Sequence, residues 1–366
     1  MKKEIYNICV VAPSISGGGG AERTAVLLCN SLCRDARFNV SIYTMDTKES
    51  SYVLDKKVKY VKLDEGLSKN KLLKNVERIL KLREITRSEI DLVIGYTIQG
   101  GIFACICKLM NRKLKTIVCE RQDPYQFSYA KRKLRDFLYR FSSGAVFQTL
   151  DAQKYFNSIV RDSTVISNFI DLSIMPEPIS WNQRKSEIVS VGRLTNAKNH
   201  QMLIYAFAKI TNEFPSVKLK IYGEGPNKDK LQELIKKLDI TGRVELCGRK
   251  DDVFSYTKYA KYFVLSSDYE GYPNALLESM ALGLSCIATD CPCGGPRAMI
   301  EDGKNGMLVH VNNSDELADK LHFILSHDDA AENIAHRAEK VRETNSSTNI
   351  MRRWITYILH VCEKET

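Results

Sequence analysis

Short apolar runs alternate with segments of helical period along this chain, and the alternation runs through twice. YNICVVAP (6–13) reads as a buried strand, AERTAVLLCNSLCRD (21–35) as a helix and FNVSIYT (38–44) as a second strand. Further strands are expected at 58–62, 91–95, 114–119 and 144–147, with helices at 69–87, 98–111 and 127–142. Alternating strands and helices imply a parallel, doubly wound sheet. The looser stretch NFIDLSIMPEPISWNQRKS (168–186) has two prolines and no clear period, so it is the expected linker. The pattern then restarts, with strands expected at 187–191, 217–222, 243–247, 262–266 and 285–289. This divides the chain into an α/β domain over 1–170, a second over 187–345 and a terminal segment over 346–366. In that segment NIMRRWITYILHVCEK (349–364) sets Ile350, Trp354, Ile358 and Val361 near one helix face. At 366 residues and 44% hydrophobic, the chain can give each half a core. Two doubly wound domains in tandem leave a cleft, and ligands of such sheets bind beyond the carboxyl ends of the strands.

The link after the first strand is SISGGGGAER (14–23). Its glycines permit close approach of backbone to a ligand, and the helix that follows offers N–H groups to an anion. No Lys-Ser/Thr pair follows, so it is not a P-loop. Gly18 and Gly20 fit the first two places of a dinucleotide fingerprint, and Asp46 mimics its ribose-binding acid. Arg23, however, stands where a third small residue should be, so an NAD-dependent oxidoreductase is only an alternative.

The second half repeats the strand–loop–helix scheme with more polar loops. In SVGRLTNAKNH (190–200) Gly192 lets the chain turn, Arg193 projects from the strand tip and Lys198 precedes a helix. Two cations at that place suit a diphosphate, one as a planar fork and one as a point charge. IYGEGP (221–226), with Gly223, forms a tight loop, and CGRKDD (247–252), with Arg249, offers backbone against which a planar base could rest. VLSSDYEGYPNALLESMALG (264–283) reads as strand, loop and helix, with Glu270 on the loop and Glu278 inside the helix. Backbone N–H groups from Gly271 through Asn274, Ala275 and Leu276 can donate to phosphate and sugar oxygens. Glu270 can accept from sugar hydroxyls, and Glu278 from two neighbouring ribose hydroxyls.

Taken together, GGAER, VGRL with its following Lys, GxGP, Glu-x7-Glu, ALG and GGP resemble the family 4 retaining glycosyltransferases of the GT-B fold. The resemblance spans the chain in order. It is nearest to bacterial enzymes that extend polyprenyl-diphosphate-linked sugars for capsule, O-antigen or glycoprotein glycans. It implies two Rossmann-like domains facing a cleft, with the C-terminal helix crossing back to the first. It implies that Arg193 and Lys198 hold the donor diphosphate, that Glu278 binds ribose and that Glu270 binds the transferred sugar. Gly19 and Gly20 would let the first loop approach the diphosphate. The donor would be a UDP-sugar carrying galactose or an N-acetylhexosamine, with GDP-mannose as the other option, and no cofactor or metal is expected. Many relatives place a His in the first domain, but here all six (200, 310, 322, 327, 336, 360) lie in the second half. Glu120, Arg121 and Asp123 of CERQDP (119–124) are therefore the candidate acceptor residues. A nucleotide-sugar-binding subunit without turnover is a further alternative.

Charge divides unevenly. Residues 1–180 hold 29 Lys and Arg against 19 Asp and Glu, which accounts for the whole formal charge of +10. The excess gathers in 69–87 and 131–140, and such clusters attract phosphates, nucleic acid or anionic membrane. No nucleic-acid-reading motif accompanies them, which leaves an anionic membrane surface and a lipid-linked acceptor as expected partners. No apolar window reaches the ~18 residues that span a bilayer, and no secretory signal is evident. The eleven cysteines lack zinc-type spacing and read as buried reduced thiols. The expected location is cytoplasmic, peripheral to the inner membrane face.

Overall fold

The computed structural model describes residues 3–17, 19–88 and 90–364. The chain folds as two units, Met1–Phe169 with Ser347–Thr366, and Ile170–Ser346. In the first unit β1 (Tyr6–Ala12), α1 (Gly20–Leu32), β2 (Phe38–Thr44), β3 (Lys59–Lys62), α2 (Lys71–Ser88) and β4 (Leu92–Tyr96) follow one another. They are continued by α3 (Thr97–Met110), β5 (Lys115–Glu120), α4 (Tyr129–Tyr139), β6 (Gly144–Phe147), α5 (Leu150–Phe156) and β7 (Ser163–Val165). The sheet order is β3-β2-β1-β4-β5-β6-β7, with every pair parallel.

The second unit holds β8 (Lys185–Val191), α6 (His200–Ile210), β9 (Lys218–Tyr222), α7 (Lys228–Lys237), β10 (Val244–Gly248) and α8 (Phe254–Thr257). After them come β11 (Ala260–Leu265), α9 (Asn274–Ala281), β12 (Ser285–Thr289), β13 (Met307–Val309), α10 (Ser314–Ser326), α11 (Asp328–Ala338) and α12 (Val341–Thr344). Its parallel sheet runs β10-β9-β8-β11-β12-β13. The strands predicted from apolar runs agree with these within a residue or two. The three-residue strands β7 and β13 were not foreseen.

The last helix, α13 (Ser347–Glu363), packs into the first unit. Ile350, Trp354, Ile358 and Val361 are buried there among residues of β1, α1 and β2, so the predicted face is the buried one. Tyr357 adds a polar tie, its Oη accepting from the Ala145 amide at 3.0 Å and donating to the Asp162 carbonyl at 3.1 Å. On the opposite face α3 lies hard against the sheet. A Cβ at Gly100 would stand 2.3 Å from the Val11 carbonyl oxygen, so only a bare backbone fits.

Two features of this unit bear on the sequence reading. Glu22 folds back over the glycine loop, its Oε2 accepting from Gly17 N at 2.7 Å and Gly19 N at 3.3 Å. The N–H of Gly19, in the loop expected to approach the diphosphate, thus meets the chain's own carboxylate, while Gly20 begins α1. Gly18 lies outside the described residues. The candidate acceptor residues are also interior, at 2% exposure for Glu120, 7% for Arg121 and 8% for Asp123. Glu120 pairs with Arg135 at 3.3 Å. Arg121 stacks 4.2 Å above the Tyr96 ring and donates to Asn168 Oδ1 at 3.2 Å. Asp123 accepts from the Tyr125 amide at 3.0 Å. These contacts hold the three side chains within the first unit.

Trp354 is among the largest fully buried side chains. Trp354→Ala should cost about 3–5 kcal/mol of first-unit stability. Urea unfolding followed by circular dichroism should show the loss, and an unchanged midpoint would contradict this packing.

Candidate active site

In the second unit the chain builds outward from β8 in one direction, through β9 to β10. It then returns to the other side of β8 and continues through β11, β12 and β13. The loops after β8 and β11 therefore leave adjacent strands in opposite directions, which is the switch point where doubly wound sheets bind ligands. The loop after β8 carries Arg193 and Lys198, and the loop after β11 carries Glu270. Lys198 Nζ and Glu270 Oε1 form an ion pair, with side-chain exposures of 22% and 13%. The two residues lie 72 positions apart in sequence, and the switch point joins them.

Three further bonds strap these loops together. The Asp268 amide donates to the Ala197 carbonyl at 2.9 Å, and Ser266 Oγ donates to the Lys198 carbonyl at 3.0 Å. Asn199, held at φ +41°, donates through Nδ2 to Asp268 Oδ1 at 2.7 Å while its Oδ1 caps α6 at Met202 N. Ser267, fully buried, donates through Oγ to the same Glu270 oxygen at 2.7 Å. Its carbonyl in turn accepts from Thr289 Oγ1 at 2.5 Å. Ser266, Ser267, Asp268 and Asn199 were not picked out from the sequence. The signal available was that all four are short polar residues flanking the two loops that were.

The neighbouring loops close on the same edge. A Cβ at Gly223 would lie 1.9 Å from the Gly192 carbonyl oxygen, so the loops after β8 and β9 are in backbone contact. Gly223 N donates to the Gly248 carbonyl at 2.9 Å, which brings in the loop after β10. Arg249, next along, is exposed and stands 4.0 Å from Asp251. The loop after β12 comes in as well, because a Cβ at Gly295 would be 2.2 Å from the Gly271 carbonyl oxygen.

Arg193 projects into solvent beside this cluster, and among the described residues its side chain makes no ion pair. Helix α9 starts at Asn274 with no side-chain cap from Pro273, and the N–H groups of Ala275 and Leu276 belong to its first turn. Glu278 sits one turn in and is half-buried. The second-half candidates, Gly192, Arg193, Lys198, Gly223, Arg249, Glu270, Gly271, Asn274, Ala275, Leu276 and Glu278, thus share one sheet edge. An edge with a solvent-facing Arg and a paired Lys can bind a diphosphate, and its two carboxylates can accept from hydroxyls. Among the described residues no three His, Cys, Asp or Glu side chains are grouped to hold a metal ion.

Residues 174–341 match the family model for glycosyl transferases group 1, and with the relatives below this supports a glycosyltransferase. Two relatives match along nearly the whole length. One is the N-acetylgalactosamine-N,N'-diacetylbacillosaminyl-diphospho-undecaprenol 4-alpha-N-acetylgalactosaminyltransferase of Campylobacter jejuni, 26% identical over 94% of this chain and 97% of the relative. The other is the amylovoran biosynthesis glycosyltransferase AmsD of Erwinia amylovora, 25% identical over 96% of this chain and 99% of the relative. Among solved structures, Anabaena HepE in complex with UDP superposes with a TM-score of 0.80 at 18% identity, covering 97% of this chain and 99% of HepE. The fold is GT-B, as the resemblance implied.

His200, the first residue of α6, is 3% exposed. Burial, and then the Lys198 charge, lowers its pKa to about 4. The unfolded chain therefore takes up a proton that the folded chain refuses. Stability from this group is full above the ordinary value of 6.5 and is lost as pH falls toward 4. The loss should approach about 3 kcal/mol in the second unit. His200→Gln should flatten that dependence in urea unfolding between the two pH values, and an identical slope would contradict it.

Proposed function

We propose that the chain is a retaining glycosyltransferase moving a hexose or N-acetylhexosamine from a UDP-sugar to a polyprenyl-diphosphate-linked saccharide in surface-glycan synthesis, without a metal ion. The observation that carries this reading is the Lys198–Glu270 pair at the switch point, with the exposed Arg193 beside it. The relatives' names support the acceptor class, and the UDP complexes of HepE support the donor.

The bond between the anomeric carbon and the diphosphate breaks, an acceptor oxygen bonds that carbon on the same face, and the acceptor's proton is released. Negative charge grows on the departing diphosphate. Arg193 and Lys198 oppose it, and a fixed cation at 4 Å contributes roughly 4 kcal/mol at an effective dielectric of 20. Glu270, aimed by Ser267, accepts from the transferred sugar, and Glu278 accepts from the ribose. With no His in the first half, such a residue takes no part at the acceptor hydroxyl. The protein works at the cytoplasmic membrane face, and among the described residues no helix is long and apolar enough to cross it.

A panel of nucleotide sugars, assayed with EDTA for acceptor-dependent release of nucleoside diphosphate, tests the whole reading. UDP should be released from one UDP-hexose or UDP-N-acetylhexosamine. A requirement for a divalent ion would overturn the metal-free part. Lys198→Ala or Arg193→Ala should each lower kcat by about 10²–10³-fold, and full turnover with both removed would sink the charge argument. Ser267→Ala removes one bond to a charged group, worth about 1.5–3 kcal/mol. It should lower kcat by roughly 10–100-fold with little change in donor KM, while Ser267→Thr should restore part of the rate.

A further inference from the structure

The chain passes between its two units twice, at Phe169–Ile170 and at Ser346–Ser347. On the second-unit side the two passages are joined. The Ile170 amide donates to the Asn345 carbonyl at 2.8 Å, and Ile170 and Ser346 form an isolated parallel bridge. Arg342, on α12 just before them, donates through Nη1 to the Pro176 carbonyl at 3.3 Å and through Nη2 to Glu177 Oε1 at 2.5 Å. The end of α12 and the segment 170–177 are thus one bonded block.

The same block holds helix α9 at both ends. Arg342 Nη1 also donates to the carbonyl of Ala281, the last residue of α9, at 3.2 Å. A cation there answers carbonyls that a helix end leaves without intrahelical partners. Just before the other end, Asn345 Nδ2 donates to Tyr272 Oη at 3.0 Å. Tyr272 is 8% exposed and Asn345 7%. The Tyr272 ring lies in an apolar cluster with Ile170, Met175, Leu276 and Val341. A phenylalanine would fill that apolar space as well. The hydroxyl adds direction, because a buried polar group is costly unless it meets its partner in the right arrangement.

Tyr272 stands two residues after Glu270 and directly before Pro273, which precedes α9. Gly271, between Glu270 and Tyr272, is pressed against Gly295, where a Cβ would be 2.2 Å from the Gly271 carbonyl oxygen. Upstream, Glu270 is held by Ser267 and Lys198. Downstream, the nearest side chain anchored in the core is Tyr272, and its polar tip rests on the block where the chain changes units.

We propose that Tyr272 and Asn345 are a positioning pair for Glu270. Their hydrogen bond sets the height of the Glu270 loop at the sheet edge, measured from the block formed by the two passages. Neither residue touches the reacting atoms, and both act through the root of Glu270. The kinetic consequence rests on the glycosyl-transfer reading, whereas the positional one stands on second-unit geometry alone.

Tyr272→Phe and Asn345→Leu each remove the bond at nearly constant volume, and the double variant removes both partners. Tyr272→Phe keeps the ring, so its thermal melting should stay near the parent's and certify folding. Hydrogen–deuterium exchange of the full-length protein without nucleotide, read by mass spectrometry, should rise at least about fivefold across 268–273 in each single variant. Exchange in β8 and β9 should match the parent, which separates local release from general loss of stability. The double variant should exceed neither single one, because the two changes break the same bond. With the nucleotide sugar that the panel identifies, each variant should lower kcat about tenfold and leave donor KM within about twofold. Parent-like exchange across 268–273, or effects of the two changes that simply add, overturns the proposal. A parent that transfers no sugar sinks the glycosyl-transfer reading instead, and the exchange result then decides the pair by itself.

Discussion

Parallel strands force every connection over a sheet face and gather every strand's carboxyl end on one edge. That constraint does most of the site-building in the second unit. Each loop leaving the edge is short of partners, because its backbone has just left the ladder. The chain meets this need by bonding the loops to each other: Gly223 to Gly248, Asp268 to Ala197, Ser266 to Lys198. The loops must therefore be small-residue loops, and Gly223, Gly225 and Gly295 sit where any Cβ would strike a neighbouring carbonyl. A rigid rim results, on which long side chains such as Arg193 and Lys198 are held at fixed roots.

The first unit solves a different problem with the same topology. Its helices α2 and α4 carry more charge than their inner faces could bury unpaired. Asp64 and Glu120 accept the inward arginines, which removes the penalty of an isolated buried cation. Glu120 shows the strain of that choice, since burial, opposed by the Arg135 charge, lifts its pKa to about 7. With Arg78 and Arg135 inward, Leu72, Leu80 and Leu134 face outward, while Leu82 and Leu138 stay buried.

This inversion marks the limit of what the sequence discloses. In α2 the apolar residues Leu72, Leu73, Val76 and Leu80 share one side, but spacing alone does not say which side meets the sheet. The answer lay in Asp64, seven residues before the helix, whose pairing with Arg78 no local pattern encodes. The sheets were legible because buried parallel strands are continuous apolar runs, and Val93 or Ile287 fits nowhere else. β7 and β13 were not, because three residues carry no period and are strands only through their neighbours. In the site, the glycines and charged residues of the second half were legible as a spaced set. The serines that aim them were not, since Ser267 acts through a carboxylate three residues on and a carbonyl contact from β12. In the first half Gly19 misled, because Glu22 is an ordinary helix acid until the loop curls back to it.

The contrast between the two glycine-bearing links bears on mechanism. Both follow the first strand of a parallel sheet and both precede a helix. In the first unit, Glu22 supplies the negative charge that the loop's N–H groups attract, so that helix start is satisfied from within. In the second, the helix after β8 is capped by Asn199, a neutral side chain, and the adjacent carboxylate, Glu270, is shared between a lysine and a serine. A carboxylate held by two donors is a poor cap but a well-aimed acceptor. Positive potential therefore remains on the edge from the exposed Arg193. An anion arriving there meets a cation whose charge the fold has not spent on an ion pair of its own, and under the proposed reading that is the charge a departing diphosphate would need in place beforehand.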